Sequence, residues 1–261
     1  MDFEKPGARY HITVKFWERH RNGLARRLGL DLTPAQCRYA AFLGSKVQEH
    51  TKWLEVGCGR QILPFWAMAE PEQRAMIARS GCLVGIDVDE AIREHRHLTG
   101  AVYGLGEALP FRGGTFDLVS SNMVVEHITD IQGFLAEIRR VLKPEGRFVF
   151  HTPNHRYYLI FVASHVPEAI KKRIVWWLEK RSEQDIFVTY YRMNTIDDVR
   201  RSAARAGFEI ETLRAIGSNG SFQNQGPLGL MECFVLKTLA VLGGGRFQPN
   251  LIACLRKPAR E

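Results

Sequence analysis

Apolar positions along the chain fall into short unbroken runs, separated by longer stretches with helical spacing. The runs at 51–56 (TKWLEV), 82–86 (CLVGI), 101–104, 116–120 and 147–151 read as strands. A continuous apolar run of this length, bounded by turn residues, suits a strand covered on both faces. Between them, 61–80 has helical composition, with Pro64 and Pro71 limiting where a helix can start, and 130–142 reads as a helix. Strand, helix, strand repeated in this way predicts a parallel sheet flanked by helices.

Upstream, Thr33-Pro34 marks the start of a helix reaching about residue 50, because Thr33 can accept an orphan amide bond and Pro34 suits the first helical position. After Pro153 the alternation stops. Residues 154–193 hold a Tyr/Phe/Trp-rich stretch and a basic helix candidate, and forty residues is too long for a plain connection, so they are expected to form a cap. A helix resumes at 194–206, where Asp197 and Asp198 favour the first turn. Strands at 208–216 and 250–257 follow, with Gly-rich loops and an apolar helix candidate, 228–242, between them. The expected architecture is α/β: a seven-stranded, mostly parallel sheet with helices on both faces, N-terminal helices and a cap.

The chain has 261 residues, 45% hydrophobic and 25% charged, which excludes disordered, collagen-like and disulfide-scaffold classes. Its five cysteines form no Cys-x-x-Cys pair, so no zinc or redox-dithiol site is expected. A reducing, cytoplasmic setting is the simplest reading. The first residues do not resemble a secretory signal, and the longest apolar stretch, 157–166, is half of what a bilayer span needs. Attachment to a membrane surface stays open.

The net charge of +8 is uneven. Residues 1–50, 155–182 and 237–261 each carry +4, whereas 51–154 and 183–236 each carry −2. The basic segments are candidates for an anionic partner, with solvated helix faces as the alternative.

In an open parallel sheet, ligands bind beyond the carboxyl ends of the strands. Three such ends carry suggestive residues. Glu55 precedes Gly57 and Gly59, glycines that allow close backbone approach; Asp87 closes the second strand, where a carboxylate can accept two ribose hydroxyls; Gly106 and Glu107 follow the third. A nicotinamide fingerprint requires a third glycine at Ile62 and an acid about 20 residues on, and neither is present. An acid before the glycines suits a cationic ligand group better than a pyrophosphate.

At WLEVGCG (53–59), VGID (84–87), GEALPFRGGTFDLVSSNMVVEHI (106–128) and FLAEIRRVLKPEGRFVFHTPN (134–154), the sequence resembles the class I S-adenosylmethionine-dependent methyltransferases. The likeness is to their small-molecule, ubiquinone-biosynthesis-like, methyltransferase-11-type group. The resemblance implies a Rossmann-like methyltransferase domain over 51–261, with an N-terminal helical segment at 1–50 and cap insertions at about 154–193 and 217–249. It further implies S-adenosyl-L-methionine as cofactor. Glu55 and the Gly57/Gly59 backbone face its methionine part, Asp87 its ribose, Gly106 and Glu107 its adenine, and Asn122 the sulfonium. The third motif glycine is replaced by Arg60, and the acid often found before the Gly-Glu pair by Leu105.

Methyl transfer to a hydroxyl needs alignment and a base. His127 and His155 are the candidate bases, and His151 reads as a core residue. Tyr157, Tyr190, Tyr191 and Arg192 are candidates to line the acceptor pocket, with ordinary packing as the alternative for the tyrosines. No metal site is expected. The Asn-Pro-Pro-Tyr motif of exocyclic-amine methylases is absent, and no Pro-Cys pair offers a thiolate. The expected reaction is methyl transfer at oxygen or carbon of a small-molecule, lipid-linked or glycan-linked acceptor. An RNA methyltransferase and a non-catalytic cofactor-binding protein are the alternatives. Ile170, Ile174 and Trp177 share a helical face that excludes Lys171, Lys172 and Arg173, so peripheral membrane contact through 157–178 is a further expectation, beside packing on the domain.

Overall fold

A computed structural model describes residues 8–164, 188–223 and 225–259. Its centre is a seven-stranded sheet in the order β3-β2-β1-β4-β5-β7-β6. The strands are β1 (Lys52–Val56), β2 (Cys82–Asp87), β3 (Gly100–Tyr103), β4 (Phe116–Asn122), β5 (Leu142–Pro153), β6 (Glu209–Ile216) and β7 (Asn250–Arg256). The pairs β1–β2, β1–β4, β2–β3 and β4–β5 are parallel, whereas β7 runs antiparallel between β5 and β6. The order reverses between β1 and β4, so a crevice opens beyond their carboxyl ends.

Alternation along β1 assigns its side chains to two cores. Leu54 and Val56 join the layer under α4 (Ile131–Val141) and α6 (Ile196–Arg205), while Trp53 joins the layer under α2 (Ala35–Gly44) and α3 (Glu70–Arg79). Helix α4 forms because Ile131, Phe134, Leu135, Ile138 and Val141 recur at helical spacing and all are buried. The Asp130 carboxylate accepts the Gly133 amide at its start. Thr195 caps α6 by accepting the Asp198 amide at 3.1 Å.

Two helical expectations are corrected. Residues 61–69 are not helical: Pro64 turns the chain, and the Gln73 amide group bonds the Leu63 and Met68 carbonyls at 3.0 and 2.8 Å. The helix of that stretch is only α3, with Pro71 in its first turn. Helix α2 stops at Gly44 instead of reaching residue 50.

Outside the sheet lie α1 (Ala8–Arg27), α5 (Tyr158–Ser164) and α7 (Pro227–Gly243). Arg21 of α1 is buried and donates to the Asn219 carbonyl at 3.0 Å, before α7. On α7, buried Glu232 accepts the amides of Ser221 and Phe222 at 2.8 and 2.9 Å. The N-terminal helix and the 217–249 insertion therefore pack as one unit. The interfacial helix expected at 170–178 lies outside the described residues.

Phe134 is wholly buried, edge-on to Phe148 with ring centroids 5.8 Å apart, and lies under Gly106. Phe134→Ala is expected to cost about 3–5 kcal/mol, read as a lower urea midpoint with unchanged slope.

Candidate functional site

At the reversal point the chain leaves β1 through two left-handed glycines, Gly57 (φ 70°) and Gly59 (φ 48°). They serve different ends. The Gly57 amide donates to Ile86 O at 2.8 Å, and Val124 occupies the place a Cβ on Gly57 requires. Beside Gly59 there is open space, with no atom within 4 Å of an added Cβ. Its amide donates to Asp87 Oδ2 at 2.7 Å, while Asp87 Oδ1 accepts the Asp89 amide at 2.8 Å. Each carboxylate oxygen has two lone pairs, so Asp87 retains capacity for ligand hydroxyls. Arg60, at the missing third glycine, extends outward to an exposed ion pair with Glu94 at 2.9 Å.

Glu55 is buried at the end of β1, on the Trp53 face. Trp53 Nε1 donates to Ser120 Oγ at 2.5 Å, and the Ser120 hydroxyl donates to Glu55 Oε2. Glu55 Oε1 is buried with no hydrogen-bond partner. Burial pushes this carboxyl up to about 8, against the help of Ser120. One strand over, Asn122 is the last residue of β4; its amide group donates to Gln36 Oε1 at 3.0 Å. His151 Nδ1 bonds Asn122 Oδ1 at 2.9 Å, and its ring stacks on Tyr39 at 5.3 Å. Burial lowers His151 to about 4, so the ring is neutral and Nδ1 carries the donated hydrogen.

The Gly106–Glu107 loop is anchored from α4. Glu137 accepts the Leu109 amide at 2.9 Å, and Arg140 donates to the Leu109 and Phe111 carbonyls at 2.8 and 2.7 Å. Around the crevice, Val88, Leu105 and Met123 follow β2, β3 and β4 and are exposed apolar side chains.

A second buried acid organises the β4–β5 side. Thr152 donates to Glu126 Oε2 at 2.9 Å, and Asn194 Nδ2 donates to Thr152 Oγ1 at 2.7 Å. The Glu126 carbonyl accepts the Tyr190 and Tyr191 amides at 2.7 and 3.3 Å, and burial raises the Glu126 carboxyl. His127 Nδ1 lies 2.8 Å from Val188 O, and the His155 ring stacks on Tyr191 at 5.0 Å. Tyr190, Tyr191, His127 and His155 thus come together just beyond the carboxyl ends of β4 and β5, with Arg192 next in the chain. Tyr157 does not join them: it is buried, with its hydroxyl on Glu232 at 3.4 Å beside Tyr158 at 3.0 Å.

Several residues escaped the sequence reading. Ser120 and Glu126 are polar positions inside apolar runs, a signal that was there to follow; Val88 and Met123 leave none without the fold. A concavity of about 610 Å³ lined by Arg139, Arg140, Arg205 and Lys257 lies away from these groups, at the carboxyl ends of α4 and α6. Lys257 there donates to the Arg139 and Leu142 carbonyls at 2.8 Å, completing a helix end instead of facing a ligand.

The fold is Rossmann-like, with a crevice at the strand ends where the order reverses. Residues 54–150 match the family model described as methyltransferase domain. The chain is 24% identical over 180 residues to a ubiquinone biosynthesis O-methyltransferase of Parvibaculum lavamentivorans, covering 66% of this chain and 64% of the relative. It is 34% identical over 106 residues to a demethylmenaquinone methyltransferase of Symbiobacterium thermophilum, covering 37% and 40%. A SAM-dependent methyltransferase structure from Methanosarcina mazei shares the fold at TM-score 0.56, with 16% identity over 88% of this chain and 100% of that one. The core, residues 54–150, is thus similar to the methyltransferase domain of S-adenosylmethionine-dependent enzymes. The chain spans under two thirds of the length of these two curated relatives.

The residues present fit that cofactor. An orphaned carboxylate oxygen on Glu55 matches an ammonium, the space at Gly59 admits a close ligand, and the exposed apolar edges match a base and alkyl chain.

A carboxyl raised in the folded state from 4.5 to about 8 binds a proton that the unfolded chain has released, so it weakens folding as pH rises between those values. Glu55→Gln removes that slope. Relative to wild type, the variant is expected to gain up to about 1.4 kcal/mol per pH unit across this window, with no gain below it, in urea unfolding at several pH values.

Proposed function

We propose that the protein transfers a methyl group from S-adenosylmethionine to oxygen or carbon of a small-molecule, lipid-linked or glycan-linked acceptor. The observation that carries this reading is the crevice itself: Asp87 tied to the Gly59 amide, with the unpartnered Glu55 oxygen on the strand before it. The cofactor supplies an electrophilic methyl on a sulfonium; the chain supplies binding, alignment and proton handling.

Glu55 in its charged form holds the ammonium, Asp87 the ribose hydroxyls, and the loop anchored by Glu137 and Arg140 borders the base. On the acceptor side, His127 Nδ1 donating to Val188 O leaves the lone pair on Nε2, the tautomer a base needs. His155, held flat against Tyr191, is the second candidate. In this reading the described residues 154–164 and 188–193, with the helix at 227–243, shield the reaction from water, and Tyr190, Tyr191 and Arg192 contact the acceptor. The named relatives act in ubiquinone biosynthesis and on demethylmenaquinone, which supports an aromatic, lipid-soluble acceptor over RNA.

Labelled methyl transfer into a cell extract, fractionated into lipid, RNA and small-molecule pools, tests the reading. Label is expected in the lipid or small-molecule pool; label in RNA, or none, refutes it. Asp87→Ala is expected to weaken S-adenosylhomocysteine binding at least tenfold in calorimetry. For an oxygen acceptor, replacing the true base among His127→Gln and His155→Gln is expected to lower kcat by about 10²–10⁴, with little change in cofactor affinity.

A further inference from the structure

The last residue of β4 is held from three directions. The Asn122 amide nitrogen donates to Ile62 O at 3.4 Å and to Gln36 Oε1 at 3.0 Å, and its oxygen meets His151 Nδ1 at 2.9 Å. Ile62 O is a main-chain carbonyl and can only accept, so it fixes which end of the amide is nitrogen. The oxygen therefore faces the imidazole, and Nδ1 must carry the hydrogen that joins them. In the other tautomer Nδ1 sets a lone pair against that oxygen. Nε2, which is buried without a hydrogen-bond partner, then becomes an N–H with no acceptor.

The imidazole is itself fixed. His151 is 1% exposed and stacks on Tyr39 with ring planes 22° apart, and the wholly buried Tyr39 donates its hydroxyl to Ser121 O at 3.3 Å. His151 and Asn122 are register partners in the parallel β4–β5 pair. Asn122, by contrast, is partly exposed at the end of its strand. Its nitrogen has two hydrogens and two acceptors, so no donor is left over. Its oxygen has two lone pairs and one donor, so one lone pair remains for a ligand.

We propose that His151 is a positioning residue: it makes Asn122 present an oxygen and no N–H to the ligand, so that the crevice favours the cationic sulfonium of S-adenosylmethionine over the neutral thioether of S-adenosylhomocysteine. The proposal rests on the methyl-transfer reading, which sets Asn122 beside the sulfonium. The carbon groups on a sulfonium share its positive charge; an amide oxygen attracts them, and an amide N–H repels them. An oxygen fixed in advance also needs no reorganisation when the ligand arrives. The two ligands differ only in that methyl and its charge. Glu55 and Asp87 hold parts common to both, so they cannot supply the distinction.

Calorimetry of the full chain with S-adenosylmethionine and with S-adenosylhomocysteine, without a methyl acceptor, tests this. His151→Leu removes the donor and frees the Asn122 amide to turn. It is expected to weaken S-adenosylmethionine binding about tenfold while changing S-adenosylhomocysteine binding less than about twofold. His151→Asn, whose amide nitrogen can replace Nδ1 as donor, is expected to stay within about threefold of wild type for both. Nitrogen NMR of the wild-type ring is expected to show the hydrogen on Nδ1. Equal losses of both ligands in His151→Leu mark a merely structural residue and overturn the proposal alone. So do an unchanged affinity ratio, a loss in His151→Asn equal to that in His151→Leu, and a hydrogen found on Nε2. The ring measurement needs no variant, so it decides the tautomer even where His151→Leu does not fold. Wild type that binds neither ligand overturns the cofactor reading and the proposal with it.

Discussion

The site depends on a topological constraint: from β1 the chain steps outward to β2 and β3, then returns past β1 to β4 on its other side. Where the strand order reverses, no connection covers the strand ends, and the backbone there must turn sharply without filling the gap. Gly57 and Gly59 resolve this differently. Gly57 surrenders its side-chain space to Val124, which locks the 124–127 turn against the end of β1. Gly59 leaves its space open and aims its amide at Asp87. One glycine pattern thus yields one packing contact and one ligand-facing edge, and the three neighbouring strand ends gain their relative positions from the pair.

Around this crevice the interior departs from an apolar core. Glu55, Ser120, Trp53, Asn122, Gln36 and His151 form polar links on the α2 side of the sheet, with Glu55 Oε1 and His151 Nε2 left unsatisfied. Desolvated polar atoms without partners weaken folding, and the natural compensation is a ligand that supplies the partner. A neutral Glu55 and one charged beside an ammonium are the two states this environment favours. The bland alternative, a purely structural acid, leaves the orphaned oxygen without a reason.

Most of the sheet was legible because its strands are short apolar runs ended by glycine or acid, a pattern set by burial on both faces. Helices α4 and α6 were legible from apolar spacing and their caps. The 61–80 stretch misled because composition favours helix throughout, while Pro64 and the side-chain bonds of Gln73 impose an irregular path on its first half. The residues that the family resemblance assigns to the cofactor all sit within a few residues of a strand end. The acceptor side was less legible. Glu126 meets Thr152, and through it Asn194, across gaps of 26 and 42 residues, which no local pattern reveals. Tyr157 looked like a pocket residue by position but is buried against Glu232, a partner 75 residues away.

The basic excess has the same geometric meaning. It lies in the segments added around the core, and in the described ones the cations divide by role. Lys257 and Arg140 are consumed by carbonyls at the end of α4 and in the adjoining loop, and Arg21 by the turn before α7. On α1, Arg26 bonds the Asn22 carbonyl one turn back at 3.4 Å. A helix that turns its acid inward to hold its own preceding loop, and its large apolar residues outward, has exchanged the usual faces. Burying Glu232 satisfies two amides and two tyrosine hydroxyls at once, while Arg21 Nε on the same side is buried without a hydrogen-bond partner.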